Sequence, residues 1–202
     1  MLDFTVERTF FTRGLRSVAG VDEAGRGPWA GPVIAAAVVI TPDSAWLEGV
    51  DDSKQLTRRR REDLAAAIVS SLVHGVGAAS VREVDRLNVR VATALAMRRA
   101  LARLPGAVDV VVVDGLAMPE IGRAHEAMVD GDARCYAVAC ASILAKTVRD
   151  RLMQRLGGRY PDFGWERNAG YGTETHRSAL ERCGATRHHR RSFTPVVQWR
   201  LL

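Results

Sequence analysis

The chain has 202 residues, with 29 Lys and Arg against 23 Asp and Glu and a formal net charge of +6; this predicts one domain that buries roughly 70% of its unfolded surface and is consistent with a polyanionic partner. Its three cysteines, Cys135, Cys140 and Cys183, form no C-x-x-C pair and share no zinc-ligand spacing with His125, His176, His188 or His189, so neither a disulfide framework nor a zinc site is expected and a reducing compartment is. Charged residues at Asp3, Glu7 and Arg8 argue against a signal peptide, and no apolar run approaches the roughly 20 residues of a membrane span, so the expectation is a cytoplasmic protein without a membrane partner.

In chain order, residues 17–22 and 31–40 read as consecutive strands joined by a glycine turn, the second so uniformly apolar that helices are expected on both faces of its sheet. Thr57 caps a helix reaching about residue 72, and its opening run Arg58 to Arg61 reads as a solvated first turn. A short strand over 76–81 precedes a long helix over 84–104, with apolar spacing through Leu87, Val91, Leu95 and Leu101. The β-branched run 108–113, closed by Asp114-Gly115, reads as a central buried strand with a carboxylate at its carboxyl end, where open α/β sheets bind ligands. A strand over 127–129 leads to Gly131-Asp132 and a helix over 137–156. One more helix, over 173–182, and the basic segment Arg187-His188-His189-Arg190-Arg191 follow. The pattern is α/β, strand-rich in its first half, with interleaved helices and a helical C-terminal extension.

Between the first two strands lies Val21-Asp22-Glu23-Ala24-Gly25-Arg26-Gly27-Pro28. Adjacent carboxylates at a strand mouth are poor core material unless they meet a partner or a metal. The glycine-arginine-glycine that follows lets backbone amides and a guanidinium approach an anion closely. Asp22, Glu23, Asp114 and Asp132 are the acids that the strand ends can bring together, although each alone is also explained as a cap of a strand or helix. Successive strand residues face opposite sides, so Asp22 and Glu23 share a site only if the chain turns there. Four acids without histidine suit Mg²⁺ or Mn²⁺, and two such ions can clamp the attacking and leaving oxygens of an in-line displacement. Among the 29 basic residues only Lys54 and Lys146 are lysine, which marks both as positions that need a compact point charge rather than a planar fork. Lys146 stands four residues from Asp150, so it reads either as a helix pair with that residue or as a phosphate contact.

These motifs occur in a specific order. Gly20-Val21-Asp22-Glu23-Ala24-Gly25-Arg26-Gly27-Pro28 is followed by Asp52-Ser53-Lys54-Gln55-Leu56, Asp85-Arg86-Leu87-Asn88, Ala96-Met97 and Val113-Asp114-Gly115. Gly131-Asp132, Ala141-Ser142-Ile143-Leu144-Ala145-Lys146, Arg149-Asp150, Gly170-Tyr171-Gly172-Thr173 and His189-Arg190-Arg191-Ser192-Phe193 complete the series. The set resembles the type 2 ribonucleases H, the bacterial ribonuclease HII family, over nearly the whole chain from Val18 to Pro195.

The resemblance implies a ribonuclease H-like fold, a mixed five-stranded sheet flanked by helices, in a catalytic domain over 15–202 with its core over about 15–157 and its extension over about 158–202. It implies endonucleolytic hydrolysis of the RNA strand of RNA–DNA hybrids, and incision 5′ to a lone ribonucleotide in duplex DNA, leaving 3′-hydroxyl and 5′-phosphate ends. Such an activity removes ribonucleotides from DNA, and a monomer is expected. The family's metal-binding acids fall on Asp22, Glu23, Asp114 and Asp132, with two Mn²⁺ or Mg²⁺ ions expected once substrate binds. Its junction-reading loop falls on Gly25, Arg26 and Gly27 and its sugar-stacking tyrosine on Tyr171, which without the resemblance reads rather as a half-buried core tyrosine; Lys54 and Lys146 read as phosphate contacts and Ser53 as a further substrate contact. Related type 3 enzymes carry a large N-terminal domain, for which the residues before the first strand leave no room. Many relatives place a lysine where this chain has Ala169, and an alanine where it has Cys140. A non-catalytic nucleic-acid-binding domain using the basic segment alone would not need four acids at strand ends. A sugar kinase or actin-like ATPase would need paired phosphate hairpins and a duplicated domain.

Overall fold

A computed structural model describes residues 2–198. Along the chain run α1 (Thr5–Phe11), β1 (Val18–Ala24), β2 (Val33–Ile40), α2 (Arg58–Ser71), β3 (Val73–Ala79), α3 (Val81–Leu101), β4 (Val110–Asp114), β5 (Glu126–Met128), α4 (Tyr136–Arg159), α5 (Trp165–Asn168), α6 (Glu174–Cys183) and α7 (Thr194–Val197). The strands form one mixed sheet in the order β3-β2-β1-β4-β5. β1 pairs antiparallel with β2 and parallel with β4, and β4 is parallel to β5. Every residue of β2 is buried because the sheet is covered on both faces, as its apolar run implied. Ile34, Ala36 and Val38 pack with Leu64 and Ile68 of α2 and with the start of α4, whereas Val33, Ala35 and Ala37 pack with Ala92, Ala96 and Met97 of α3. The alternation along one strand thus assigns its side chains to two cores.

α4 lies directly on β1. Gly20 permits that approach, since a Cβ there would collide with the Ala137–Val138 peptide. This contact carries Ser142 and Lys146 of α4 to the end of β1 where Asp22 stands. The N-terminus of α4 is capped from outside: Cys135 makes no side-chain cap, and Glu7 of α1 accepts a hydrogen bond from Ala137 N at 2.7 Å. Beneath the C-terminal extension a third apolar cluster joins Ala30, Met153, Phe163, Trp165, Ala179 and Leu180.

Several expectations change. β3 starts at Val73 rather than at residue 76, since its ladder with β2 extends through His74 and Gly75, glycines having hidden the strand pattern. The long helix is kinked: Asn88 takes φ 65° and ψ 165°, and its Oδ1 accepts from Arg90 N and Val91 N, so it caps a second helical segment. α1 was not anticipated. The run 58–61 is not wholly solvated, because Arg61 is buried, donates to Ser53 O at 2.8 Å and pairs with Asp150 at 3.3 Å. In the basic segment 187–191, Arg187 and Arg191 are exposed but His189 and Arg190 are fully buried.

Candidate active site

Pairing of β1 with β4 sets Val21 opposite Val113, so the next residues, Asp22 and Asp114, leave adjacent strand ends together. Asp22, Glu23 and Asp114 line one cleft of about 370 Å³, which Gly25, Arg26, Gly27, Ser53, Lys54, Lys146 and Tyr171 also border. Asp22 is buried, and burial, reinforced by Glu23 and Asp114, holds its carboxyl well above the usual carboxylate range. Burial also raises the carboxyls of Glu23 and Asp114, against the pull of Arg26 on the first and of the Gly131 amide on the second. Asp114 Oδ1 accepts from Gly131 N at 2.8 Å, which ties the end of β4 to the turn bearing Asp132. Asp132 is itself buried and joins the group through Lys54, whose Nζ lies 3.0 Å from its Oδ2. The Asp132 hydrogen bond is the main reason that the Lys54 ammonium is held above its usual range.

A buried Asp22 beside the half-buried Glu23 and Asp114, whose charges it repels, with the buried Asp132 close by, makes a site that a cation would relieve. The donors are all oxygen, the chemistry that suits Mg²⁺ or Mn²⁺. Among the described residues no three acid, histidine or cysteine side chains converge on one point; Glu23 is engaged by Arg26 at 3.1 Å and Asp132 by Lys54. A hard ion that takes few carboxylates and completes its shell with water and substrate oxygens fits such a spread set.

The expected substrate contacts are brought to the same cleft. Ser53 is buried, its Oγ 2.9 Å from Ser142 Oγ, and Asp22 Oδ1 accepts from Glu23 N at 2.6 Å. Lys146 borders the cleft and also makes the helix pair with Asp150, at 2.8 Å. Gly25 turns the chain at φ +97°, a region that side chains other than glycine rarely enter, and a Cβ there would fall on the Arg149 guanidinium. Tyr171 is not a core residue. It is 49% exposed, and its ring edge stands 3.5 Å from the point where a Gly27 Cβ would lie.

The family model for ribonuclease HII matches residues 19–196. The chain belongs to the ribonuclease HII family. Ribonuclease HII of Paracoccus denitrificans is 50% identical to it over 196 residues, 96% of this chain and 92% of that protein. The crystal structure of ribonuclease H2 from Pyrococcus horikoshii superposes with a TM-score of 0.75 at 29% identity, over 90% of this chain and 96% of that one. Bst-RNase HIII, solved in complex with Mn²⁺, gives a TM-score of 0.72 at 21% identity over 91% of this chain and 68% of its own, a likeness of fold. This ribonuclease HII family member is therefore a hydrolytic endoribonuclease, and the kinase-like and purely binding alternatives fall away. Among the described residues no helix is long and apolar enough to cross a membrane.

Sequence reading missed Ser142, Arg149, His176, His189 and Arg190 as parts of this ribonuclease's site. All five are buried and none is a surface contact. Ser142, Arg149, His189 and Arg190 sat inside recognised motifs, but nothing in the order of residues says that Arg149 and Arg190, among many arginines, are turned inward.

Proposed function

We propose that this ribonuclease hydrolyses the RNA strand of RNA–DNA hybrids and incises 5′ to a single ribonucleotide embedded in duplex DNA, removing ribonucleotides from DNA. The observation that carries the reading is the meeting, in one cleft, of the acids Asp22, Glu23 and Asp114 with the Gly25–Gly27 loop and the exposed Tyr171 ring. Hydrolysis and the reading of a sugar junction would then share one site.

In this reading Asp22, Glu23, Asp114 and Asp132 hold divalent Mg²⁺ or Mn²⁺. Bound there, the ions would activate water and neutralise charge on the phosphate oxygens. The Glu23 amide orients Asp22 and the Gly131 amide orients Asp114, so neither carboxylate must be ordered when substrate arrives. Lys54, Lys146 and Ser53 approach the backbone phosphates. The Gly25–Gly27 backbone grips the 2′-hydroxyl, the group that separates RNA from DNA, while Arg26 keeps Glu23 in place. Tyr171 packs on the following deoxyribose, where a 2′-hydroxyl would crowd the ring. The enzyme works as a cytoplasmic monomer, and its free cysteines, two of them buried, fit a reducing compartment. Incubation with duplex DNA bearing one ribonucleotide tests the proposal: cleavage in Mg²⁺ that stops in excess EDTA supports it, and cleavage undiminished by chelator overturns the metal-dependent mechanism.

A further inference from the structure

Within the basic segment 187–191, whose ends Arg187 and Arg191 are exposed, His189 and Arg190 are fully buried, and their contacts converge on the two elements assigned above to junction reading. Arg190 is 0% exposed and has no carboxylate in hydrogen-bond contact among the described residues. Its three nitrogens are spent on backbone carbonyls of one loop: Nη2 donates to Gly25 O at 2.5 Å, Nη1 to Arg26 O at 2.8 Å and Nε to Gly31 O at 3.0 Å. Arg149, also buried, donates to Ala30 O, Pro32 O and Ala169 O. In a trans peptide the N–H points away from the carbonyl. Fixing Gly25 O and Arg26 O on Arg190 therefore turns the amides of Arg26 and Gly27 to the opposite side of the loop. Neither amide has a hydrogen-bond partner among the described residues, so both are left to a ligand.

The neighbouring residue reaches the other element. Thr186 N donates to His189 Nδ1 at 2.9 Å, which leaves the proton of that ring on Nε2. His189 Nε2 lies 2.9 Å from His176 Nε2, and His176 Nδ1 lies 2.9 Å from Tyr171 O. Since the carbonyl only accepts, the network assigns a run of two neutral imidazoles, His189 donating to His176 and His176 to the Tyr171 backbone. Burial lowers the basicity of both rings, which keeps the relay neutral. Backbone bonds close the frame: Trp29 N to Gly170 O, Arg190 N to Trp29 O and Gly31 N to His188 O. The frame is tied to α3 by Asp85, which accepts from Arg191 N, Ser192 N and Ser192 Oγ.

We infer that His189 and Arg190 are positioning residues that yoke the two halves of the junction reader, Arg190 aiming the Arg26 and Gly27 amides and His189, through His176, setting the height of the Tyr171 ring beside them. The inference rests on the proposed roles of the Gly25–Gly27 loop and Tyr171 and adds what holds their spacing. A uniform hybrid offers a 2′-hydroxyl in every register, whereas a lone ribonucleotide offers one, so loss of spacing harms the second substrate more.

The test compares kcat/KM on a duplex with one ribonucleotide and on a uniform RNA–DNA hybrid, with thermal melting of each full-length variant. Arg190→Lys keeps the charge but cannot span three carbonyls, and His176→Phe keeps the ring but loses the donor. Each should lower the single-ribonucleotide to hybrid ratio roughly tenfold, the scale of a lost charge-assisted or buried hydrogen bond. Tyr171→Ala should lower the ratio roughly ten- to a hundredfold. His176→Asn, whose side-chain amide nitrogen sits at the same bond separation as Nδ1, should restore most of it. If Tyr171→Ala shifts the ratio while Arg190→Lys and His176→Phe leave it unchanged, the yoke is wrong and the reader stands. If Tyr171→Ala slows both substrates equally, the reader itself fails and the yoke with it. Should His176→Phe melt below the assay temperature, Arg190→Lys and His176→Asn still decide.

Discussion

Asp114 shows what a single residue reveals before and after folding. Its place at the end of a β-branched run was legible, because a carboxylate closing a buried strand is costly without a purpose. Its company was not, since the register that sets it beside Asp22 depends on a pairing between residues about ninety positions apart. Asp22→Asn, Asp114→Asn and Asp132→Asn should each reduce cleavage at least about a hundredfold while hybrid binding survives, because phosphate contacts lie elsewhere. Strand cleavage and gel-shift measurements on the folded variants check this, and near-normal turnover in Asp132→Asn would remove that residue from the site. Lys146 is the subtler case. Its rarity in an arginine-rich chain singled it out, and the structure adds a reason: Asp150 already holds the Arg61 guanidinium on one oxygen and the Lys146 ammonium on the other. A second planar fork would crowd that carboxylate. Lys146→Arg should lower kcat/KM roughly tenfold, about 1.4 kcal/mol, with little change in melting temperature; wild-type kinetics would show that position 146 accepts either cation.

At the scale of elements, helices announced by a capping residue were read well and those defined by tertiary contact were not. Thr57 and Thr173 start α2 and α6 as their side chains allow, whereas Ser80, which caps α3, falls inside the strand expected over 76–81. The kink at Asn88 and the docking of α1 through Glu7 depend on distant partners, so local pattern was silent about both. α3 also offers a stability test. Glu83 closes the capping box with Ser80 and is paired with Arg99 at 2.7 Å; Arg99 above all, helped by the Ser80 amide, pulls its carboxyl down from 4.5 to about 2. A carboxyl lowered in the folded state stabilises above its unfolded pKa and loses that contribution as the pH falls toward the folded value. Glu83→Gln should therefore cost about 1 kcal/mol at pH 7, and the gap to the parent should close between about pH 4.5 and 2. Urea titrations across that range read it out. A gap that did not depend on pH would assign the effect to shape rather than charge.

For the whole molecule, the α/β class followed from strand runs and interleaved helices, and the mixed five-stranded sheet from the resemblance to the ribonuclease HII family. The role of the extension did not, because a run of basic residues looks alike whether it faces solvent or, like Arg190, is buried against carbonyls. The assembled cleft makes a demand on its ions. Mg²⁺ or Mn²⁺ should support turnover, and Ca²⁺ should support binding but little cleavage, since its longer bonds and looser geometry misplace the reacting oxygens. Full turnover in Ca²⁺ would argue against a geometry-sensitive metal site. The claim at the centre of this account is that one cleft both hydrolyses the strand and reads the step from ribose to deoxyribose. Mapping the cut on a duplex whose labelled strand carries four consecutive ribonucleotides followed by DNA tests that claim most directly. The account predicts one dominant incision, 5′ to the last ribonucleotide, with the Tyr171 ring on the deoxyribose that follows; cuts spread evenly through the four ribonucleotides would contradict it.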